Sequence, residues 1–135
     1  MGKLTVADCM TSHPYWINEE ASLREAMSLM TERRIRHLPV KRGKAVVGVL
    51  SDRDLRMVFG MAWVKLDETQ VKVFCQTHPF AVDPQTPLAE VARQMAAEHY
   101  GSAVVMKANE LVGIFTTVDA CRVLADFAEG KSPAS

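Results

Sequence analysis

The sequence contains an internal repeat, which limits the possible folds more than any other feature. When the chain is shifted by 65 residues, Val6 to Gly60 aligns without a gap with Val71 to Ala125, and His13-Pro14 falls on His78-Pro79. A repeated unit of this length rarely buries its apolar faces alone, so we expect the two copies to share one core about an approximate two-fold axis. Any site in one copy should have a counterpart in the other.

Composition limits the classes of protein to consider. The chain has 135 residues, 48% hydrophobic and 24% charged, which suits one compact module. No apolar run is long enough to span a bilayer and residues 1–5 lack the apolar core of a signal peptide, so we expect a cytoplasmic protein without membrane association. The three cysteines form neither a paired motif nor a zinc-ligand pattern, and we expect them to be reduced and mostly buried. They are Cys9, Cys75 and Cys121.

The net charge of zero conceals an asymmetry between the two copies. Residues 1–65 contain 11 lysines and arginines against 7 acidic residues, whereas residues 66–135 contain 5 against 9. A solvated charged face is one explanation for this asymmetry. Alternatively, the first copy faces an anion, or the basic half of one molecule attracts the acidic half of another. Without net charge or clustered aromatic residues, the chain is not expected to bind a nucleic-acid polymer.

Each repeat predicts the element order β-α-β-β-α. Ser22 to Glu25 forms a capping box ahead of a helical apolar stripe, and Thr86-Pro87 opens the matching helix. Two short strands joined by a polar turn follow each helix, and a shorter helix begins near Ser51 and near Thr116. We therefore predict an α/β (α+β) fold. Its predicted divisions are a first motif over 1–65, a second motif over 66–128 and a disordered tail over 129–135.

Functional chemistry is expected where the last strand of each repeat meets the last helix. Both copies place a glycine, a hydroxyl residue and an aspartate at the same offsets, a pattern that we call the Gly-to-Asp motif (Gly48 to Asp54 and Gly113 to Asp119). Glycine leaves room for a ligand or another backbone, and the hydroxyl lies at a helix N-terminus, which attracts anions. The aspartate could accept both hydroxyls of a ribose. The same pattern also fits a capping box that serves only the helix.

Several motifs together resemble the cystathionine β-synthase (CBS) domain, and their tandem arrangement resembles the CBS pair called a Bateman module. The resemblance extends from Val6 to Phe127 and rests on Cys9-Met10-Thr11, Ser22 to Ala26, Arg36 to Val40 and the Gly-to-Asp motif. It implies two CBS motifs related by a pseudo-two-fold axis. It also implies regulation, without catalysis, by an adenine nucleotide (AMP, ADP or ATP) or a related adenosyl ligand in the cleft between the motifs.

The resemblance also implies roles for particular residues. Asp54 and Asp119 would bind ribose hydroxyls, and Ser51 and Thr116 would contact ribose or phosphate. Arg53 could neutralise phosphate charge through its planar guanidinium. Residues of the preceding strands would line the slots for the base. These are Ile17, His37, Leu38, Pro39 and Val40 in the first copy, and Val82, Ala103 and Val104 in the second.

The two sites are not expected to be equal. Gly101 to Val104 replaces Arg36 to Pro39, and Val118 replaces Arg53, so the second copy has fewer cationic partners for a phosphate. We therefore expect a charged nucleotide in the first site. The second would suit a less phosphorylated ligand, such as a nucleoside or S-adenosylmethionine.

The sequence also raises two other hypotheses about function. Ser51, His37 and Asp54 are the nearest set for nucleophilic catalysis, but nothing in the sequence places His37 between the other two, so no catalytic residue is predicted. The alternative is a dimerising or protein-docking module without a small ligand. The resemblance implies a homodimer, which exposed apolar faces near Val58-Phe59 and Val123-Leu124 would suit. Under either hypothesis we expect an effector protein regulated in trans. No cofactor is required, too few carboxylates are present to predict a metal site, and whether magnesium accompanies the phosphates stays open.

Overall fold

The computed structural model describes residues 3–133, and its backbone follows the repeat. The chain forms two compact units, which we call the central unit (Tyr15–Pro79) and the terminal unit (residues 3–14 with 80–133). The predicted α+β fold is confirmed, since the described residues form two four-stranded sheets and five α-helices. The elements in chain order are α1 (Val6–Cys9), β1 (Thr11–Ser12), β2 (Ile17–Asn18), α2 (Leu23–Arg33), β3 (His37–Arg42), β4 (Ala45–Ser51), α3 (Asp52–Phe59), a 3₁₀ turn (Val71–Val73), β5 (Gln76–Thr77), β6 (Ala81–Val82), α4 (Leu88–Glu98), β7 (Ser102–Lys107), β8 (Glu110–Thr116) and α5 (Thr117–Ala128).

The two sheets have the same topology. The strand order is β2-β3-β4-β5 in the central unit and β6-β7-β8-β1 in the terminal unit. The first pair in each sheet is parallel and the other pairs are antiparallel. His37 lies opposite Ser51 in the β3–β4 ladder, and Ser102 lies opposite Thr116 in the β7–β8 ladder. Each ladder therefore places the hydroxyl residue of the Gly-to-Asp motif beside the start of the neighbouring strand.

The first segment of each repeat adds a strand to the unit formed by the other repeat. Thr11 in β1 lies opposite Ile114 in the terminal sheet, and Thr77 in β5 lies opposite Gly48 in the central sheet. Burial stabilises this exchange, because α1 and the 3₁₀ turn each place a fully buried valine in the core of the unit that they join. The compact units therefore differ from the predicted sequence motifs, 1–65 and 66–128, by these exchanged segments.

Hydrogen bonds at the first turn satisfy the starts of α2 and α4 in different ways. Ser22 caps α2 as predicted, since its Oγ accepts from the Glu25 amide (3.1 Å) and the Glu25 carboxylate accepts from the Ser22 amide (2.8 Å). The predicted start of α4 is displaced by one residue, because Pro87 is itself the N-cap and has no side-chain hydrogen bond. The Leu88 amide donates instead to the Leu4 carbonyl at 2.9 Å, so the exchanged segment satisfies this helix end.

The core of each unit lies on one face of its sheet. In the central unit Leu38, Val40 and Leu50 belong to the core, whereas Pro39 and Val49 lie on the opposite face and are also buried. Both faces of the central strands are therefore withdrawn from solvent. In the terminal unit the matching core residues are Ala103, Val105 and Phe115, and the matching residues of the opposite face are Val104 and Ile114.

Side-chain exposure corrects the prediction about the cysteines. Cys9 and Cys75 are only half-buried, and Cys121 is exposed. Partial burial raises the pKa of the Cys9 and Cys75 thiols, and neighbouring carboxylates raise it further. The expectation of mostly buried cysteines was wrong, because Cys9 and Cys75 pack against the cores from short segments that leave them partly exposed, and Cys121 lies on the outer face of α5.

Exposure also corrects the predicted apolar surface on α3 and α5. Phe59 and Leu124 are exposed as expected, whereas Val58 is fully buried in the central core and Val123 packs against the terminal core. Neighbouring residues on a helix point in different directions, so each predicted pair contains one inward and one outward side chain.

Hydrogen-bonded turns follow α5 as far as Lys131. After α5, the Lys131 amide donates to the Asp126 carbonyl at 2.8 Å, and the Gly130 amide donates to the Phe127 carbonyl. The predicted disordered tail over 129–135 includes Ala134 and Ser135, which lie outside the described residues. Within residues 3–133, no helix has both the length and the apolar character needed to cross a membrane.

Candidate functional site

In the central unit a complete capping box joins the last residue of β4 to the first turn of α3. Ser51 has an extended backbone (φ −107°, ψ 162°), and its Oγ accepts from the Asp54 amide at 3.1 Å. Asp54 Oδ2 accepts from the Ser51 amide (2.8 Å) and from Ser51 Oγ (2.9 Å). These bonds satisfy free amides of the helix start and fix the position of the carboxylate. We call Ser51 and Asp54 the central site.

The second carboxylate oxygen of Asp54 is available. Among the described residues Asp54 Oδ1 has no hydrogen-bond partner, and the side chain is half-buried. The Arg53 and Arg36 side chains are exposed, and the Arg36 carbonyl accepts from the Asp52 amide at 2.9 Å. The central site therefore combines a free acceptor, a helix N-terminus and two guanidinium groups on adjacent stretches of backbone.

The equivalent carboxylate in the terminal unit has no free oxygen. Asp119 Oδ2 accepts from the Thr116 amide (2.9 Å) and from Thr116 Oγ1 (3.2 Å), as in the central capping box. Asp119 Oδ1 accepts from Thr11 Oγ1 (3.1 Å) and from Arg122 Nη1 (3.0 Å). Only 3% of the residue is exposed. We call Thr116 and Asp119 the terminal site, and its carboxylate is satisfied within its own unit.

The glycines of the Gly-to-Asp motif lie where another segment crosses the strand. A Cβ at Gly48 would overlap the carbonyl oxygen of Gln76, and a Cβ at Gly113 would overlap the side chain of Met10. The sequence left open whether glycine makes room for a ligand or for other parts of the chain. The structure shows the second, since β5 and the residue before β1 lie against these positions.

His37 is half-buried beside the central site. Burial lowers the pKa of its imidazole below the ordinary value of 6.5, and this effect exceeds the opposing influence of the Asp52 and Asp54 carboxylates. His37 is therefore neutral near pH 7. Within the described residues no hydrogen bond joins His37 to Ser51 or to Asp54, although its strand position lies opposite Ser51. The three residues do not form a nucleophile, base and acid relay.

The residues predicted to line slots for a base divide between two faces of each sheet. Leu38 and Val40 are fully buried in the central core, and Ala103 is fully buried in the terminal core. Pro39 and Val104 are buried on the opposite faces. Their contact with a ligand stays a prediction. The remaining predicted lining residues are Ile17, in the central core, and Val82, which packs against the terminal core.

Each unit also has a groove beside its parallel edge strand. The central groove has a volume of about 750 Å³ and includes Ile17 and Glu25, and the terminal groove, of about 340 Å³, includes the matching Val82 and Glu90. Neither groove is lined by the aspartates of the Gly-to-Asp motif. Among residues 3–133, no three His, Cys, Asp or Glu side chains lie together in a way that could hold a metal ion.

Sequence reasoning missed two residues that determine the state of the terminal site. The hydrogen bond from Thr11 to Asp119 joins positions 108 residues apart, and it depends on the exchanged strand β1. Arg122 lies three residues after Asp119 on α5, and this spacing is a signal that could have revealed the ion pair. In the repeat alignment their counterparts are Gln76 and Met57.

Comparison with known sequences identifies a family. The CBS domain family model matches residues 6–60 and 71–126, which is most of the chain. Among curated relatives, the chain is 24% identical over 122 residues (89% of its length) to an A-adding tRNA nucleotidyltransferase of Geobacter sulfurreducens, and 28% identical over 116 residues (84%) to an inosine-5′-monophosphate dehydrogenase of Staphylococcus saprophyticus. The match spans only 13% and 23% of the lengths of these two relatives.

Solved structures match over nearly the whole chain. A Vibrio cholerae protein assigned to acetoin utilization (AcuB) is 30% identical, with a TM-score of 0.84 and 95% of each chain covered. The CBS domain pair of protein MJ0100, in complex with 5′-methylthioadenosine and S-adenosyl-L-methionine, is 19% identical (TM-score 0.83, 93% of this chain and 99% of that chain). CBSX2 in complex with AMP is 24% identical (TM-score 0.75, 92% and 98%). With two family matches in tandem on the fold of solved CBS pairs, the chain belongs to the CBS domain family, as its motifs predicted.

Proposed function

We propose that this chain is a regulatory module that senses an adenine nucleotide of the AMP, ADP or ATP class, with Asp54 accepting hydrogen bonds from the ribose. The observation that supports this proposal is the unpaired Oδ1 of a half-buried carboxylate whose Oδ2 is fixed by Ser51. A partly desolvated carboxylate oxygen without a protein partner gains stability from a ligand that donates to it. The adjacent hydroxyls of a ribose supply such donors.

The start of α3 has groups suited to a phosphate. Among the described residues the Asp52 amide donates to the Arg36 carbonyl and the Asp54 amide donates to Ser51, while the Arg53 amide has no partner outside the helix. The helix dipole favours an anion at this end, and the exposed guanidinium groups of Arg53 and Arg36 add positive charge. Neutral, half-buried His37 offers an uncharged surface for the base, on the face of β3 that also carries Pro39.

The ligands of two relatives support the adenosyl class. MJ0100 was solved with 5′-methylthioadenosine and S-adenosyl-L-methionine, and CBSX2 was solved with AMP. All three ligands contain adenosine, whereas their charges and 5′ substituents differ. Adenosine is therefore the part that we propose the present chain to recognise, and phosphate recognition is assigned to Arg53 and Arg36 of this chain.

We further propose that ligand occupancy is passed in trans to another protein, and that the active form is a cytoplasmic homodimer. A ligand shifts a conformational or assembly equilibrium only by as much as its affinity differs between the two states. The exposed Phe59, Leu124 and Phe127 provide apolar area that such an assembly could bury. No cofactor is proposed besides the nucleotide, and magnesium is tested as an accompanying ion.

A second candidate is a dimerising or docking module that binds no small ligand. The observation that favours it is the completeness of both capping boxes, since Ser51 with Asp54 and Thr116 with Asp119 already stabilise α3 and α5. Under this hypothesis the motif needs no ligand, and the exposed apolar residues of the two helices are the functional surface.

A thermal-shift screen of nucleotide-free protein separates the two candidates. The ligands are AMP, ADP, ATP, NADH and S-adenosylmethionine, each with and without magnesium. We expect one adenine nucleotide to raise the melting temperature of the wild type, because a ligand that binds only the folded state stabilises it by about 2.7 kcal/mol at 100 times its Kd. Asp54→Asn should lose this rise and Asp119→Asn should keep it. No rise with any ligand at millimolar concentration would favour the docking module.

A further inference from the structure

We propose that the terminal site is closed by the chain itself, and that Thr11 and Arg122, which we call the closing pair, limit the chain to one adenine nucleotide, bound at the central site. The inference rests on the proposed function, because the ligand excluded from Asp119 is the one proposed for Asp54. To the proposed function it adds the number of nucleotides bound per chain and the two residues that determine this number.

The closing pair occupies the oxygen that a ribose would need. Thr11 Oγ1 and Arg122 Nη1 lie 3.1 Å and 3.0 Å from Asp119 Oδ1, and the capping box uses Oδ2. A ribose hydroxyl would have to displace donors from a carboxylate that is 3% exposed. Replacing a hydrogen bond to a charged group lowers affinity by roughly tenfold or more for each bond that is not recovered.

Arg122 is exposed at the surface, but the group that it neutralises is not. The Arg122 side chain is 64% exposed, whereas that of Asp119 is 4% exposed. Moving Arg122 into solvent would leave a buried carboxylate with fewer donors, which is costly. The ion pair is therefore maintained because the buried Asp119 carboxylate would otherwise lose a hydrogen-bond donor.

The central site lacks a closing pair although its backbone is the same. Gln76 lies opposite Val49 in β5, as Thr11 lies opposite Ile114 in β1, and Met57 follows Asp54 by three residues, as Arg122 follows Asp119. Met57 has no donor, and among the described residues the Gln76 side chain makes no hydrogen bond with Asp54. Two side chains, and not the register of the strands, determine whether the second carboxylate oxygen has protein donors.

Exchanging these residues between the repeats tests the inference. Thr11→Gln with Arg122→Met gives the terminal site the central-site residues at the positions of the closing pair, and Gln76→Thr with Met57→Arg gives the central site a closing pair. The terminal site lacks counterparts of Arg36 and Arg53, so the probe is adenosine, which carries no phosphate. In isothermal titration calorimetry, we expect one adenosine site per chain in the wild type and two in the Thr11→Gln/Arg122→Met variant. We expect binding to be weakened roughly tenfold or more in the Gln76→Thr/Met57→Arg variant.

Further variants assign each binding event to a site. Adding Asp54→Asn to the Thr11→Gln/Arg122→Met variant should leave one site, formed by Asp119. Cooperative melting of every variant checks that the fold is intact. Two adenosine molecules bound per wild-type chain, one of them lost in Asp119→Asn, would overturn the closed terminal site and leave the proposed function standing. A Thr11→Gln/Arg122→Met variant that folds and still binds one adenosine would overturn the role of the closing pair.

Absence of adenosine binding in every variant would count against ribose recognition by Asp54 in the proposed function, and melting temperatures would then decide about the closing pair. Thr11→Gln with Arg122→Met should lower the melting temperature of the wild type but not that of Asp119→Ala, which lacks the carboxylate. Equal losses in both backgrounds would show that the two residues do not act through Asp119.

Discussion

Asp54 and Asp119 occupy the same position in the repeat, but their carboxylates have different surroundings. Their capping oxygens accept the backbone amides of Ser51 and Thr116 at 2.8 Å and 2.9 Å, so the helix starts do not distinguish them. The other oxygen does, because Asp119 Oδ1 has two donors and Asp54 Oδ1 has none among the described residues. A duplicated motif can thus keep its structural role while residues outside it determine whether its second carboxylate oxygen has protein donors.

Removing each aspartate in turn tests the difference between the two carboxylates. Asp119→Ala should lower the free energy of unfolding by about 2 kcal/mol, because it removes the cap of α5 together with the hydrogen bonds that Asp119 accepts from Thr11 and Arg122. Asp54→Ala should cost about 1 kcal/mol, since it removes only a cap. Urea denaturation without ligand measures both values. Equal losses would show that the additional bonds to Asp119 contribute nothing.

The two glycines of the motif differ in the group that an added Cβ would meet from the exchanged segment. Gly48→Ala should cost about 3 kcal/mol, because its Cβ would overlap a backbone carbonyl that is fixed in the sheet by β5. Gly113→Ala should cost about 1 kcal/mol, because the overlapping group is the flexible thioether of Met10. Gly60→Ala is a matched control, since no atom lies within 3.4 Å of its added Cβ.

The measurement is again the free energy of unfolding by urea. A Gly113→Ala loss as large as that of Gly48→Ala would show that Met10 cannot move aside. Adding Met10→Ala to Gly113→Ala tests this directly, because the smaller side chain removes the overlap.

The parts of the fold that depend on local spacing could be predicted from the sequence. The capping pair Ser51 and Asp54 is three residues apart, and so is Ser22 with Glu25, so each bond follows from helix geometry alone. The repeat also predicted that the two sites would differ, through the loss of Arg53. The family and the α+β fold followed from the same local motifs.

The rest could not be predicted because it depends on contacts between distant segments. Thr11 reaches Asp119 only because β1 pairs with β8, and one sequence without an alignment contains no signal for this pairing. The half-buried Cys9 and Cys75 were mispredicted for the same reason, since they lie on or beside the exchanged segments. Burial of Val58 required knowing which face of α3 meets the sheet.

The hairpin turns of the two units place different residues at a left-handed position, which predicts a smaller effect on stability. Gly43 has φ 60° in the β3–β4 turn, and its counterpart Ala108 has φ 51° in the β7–β8 turn. A side chain in the left-handed region costs about 1 kcal/mol relative to glycine. Ala108→Gly should therefore stabilise the protein slightly and Gly43→Ala should destabilise it by about 1 kcal/mol. Opposite shifts in melting temperature would confirm that Gly43 and Ala108 share the left-handed conformation.

The smallest expected effect is a pH dependence of stability that arises in the central unit. His37 can titrate there, whereas Ser102 occupies the equivalent position in the terminal unit. Burial lowers the pKa of His37 in the folded state below its ordinary value of 6.5. As the pH falls below about 6.5, the unfolded state therefore binds more protons than the folded state, and the stability due to neutral His37 is lost. Above that pH the contribution is complete and constant.

His37→Gln removes this titration and leaves the neighbouring charged groups, Arg36, Asp52 and Asp54, in place. The free energy of unfolding of the wild type should therefore fall more steeply than that of the variant as the pH is lowered from about 7.5 to about 5.5. Urea denaturation at several pH values measures the two slopes. Parallel slopes would mean that His37 can be protonated in the folded state as readily as in the unfolded chain. A protonated His37 would add positive charge to the central site, and the uncharged surface proposed there for the base would be lost.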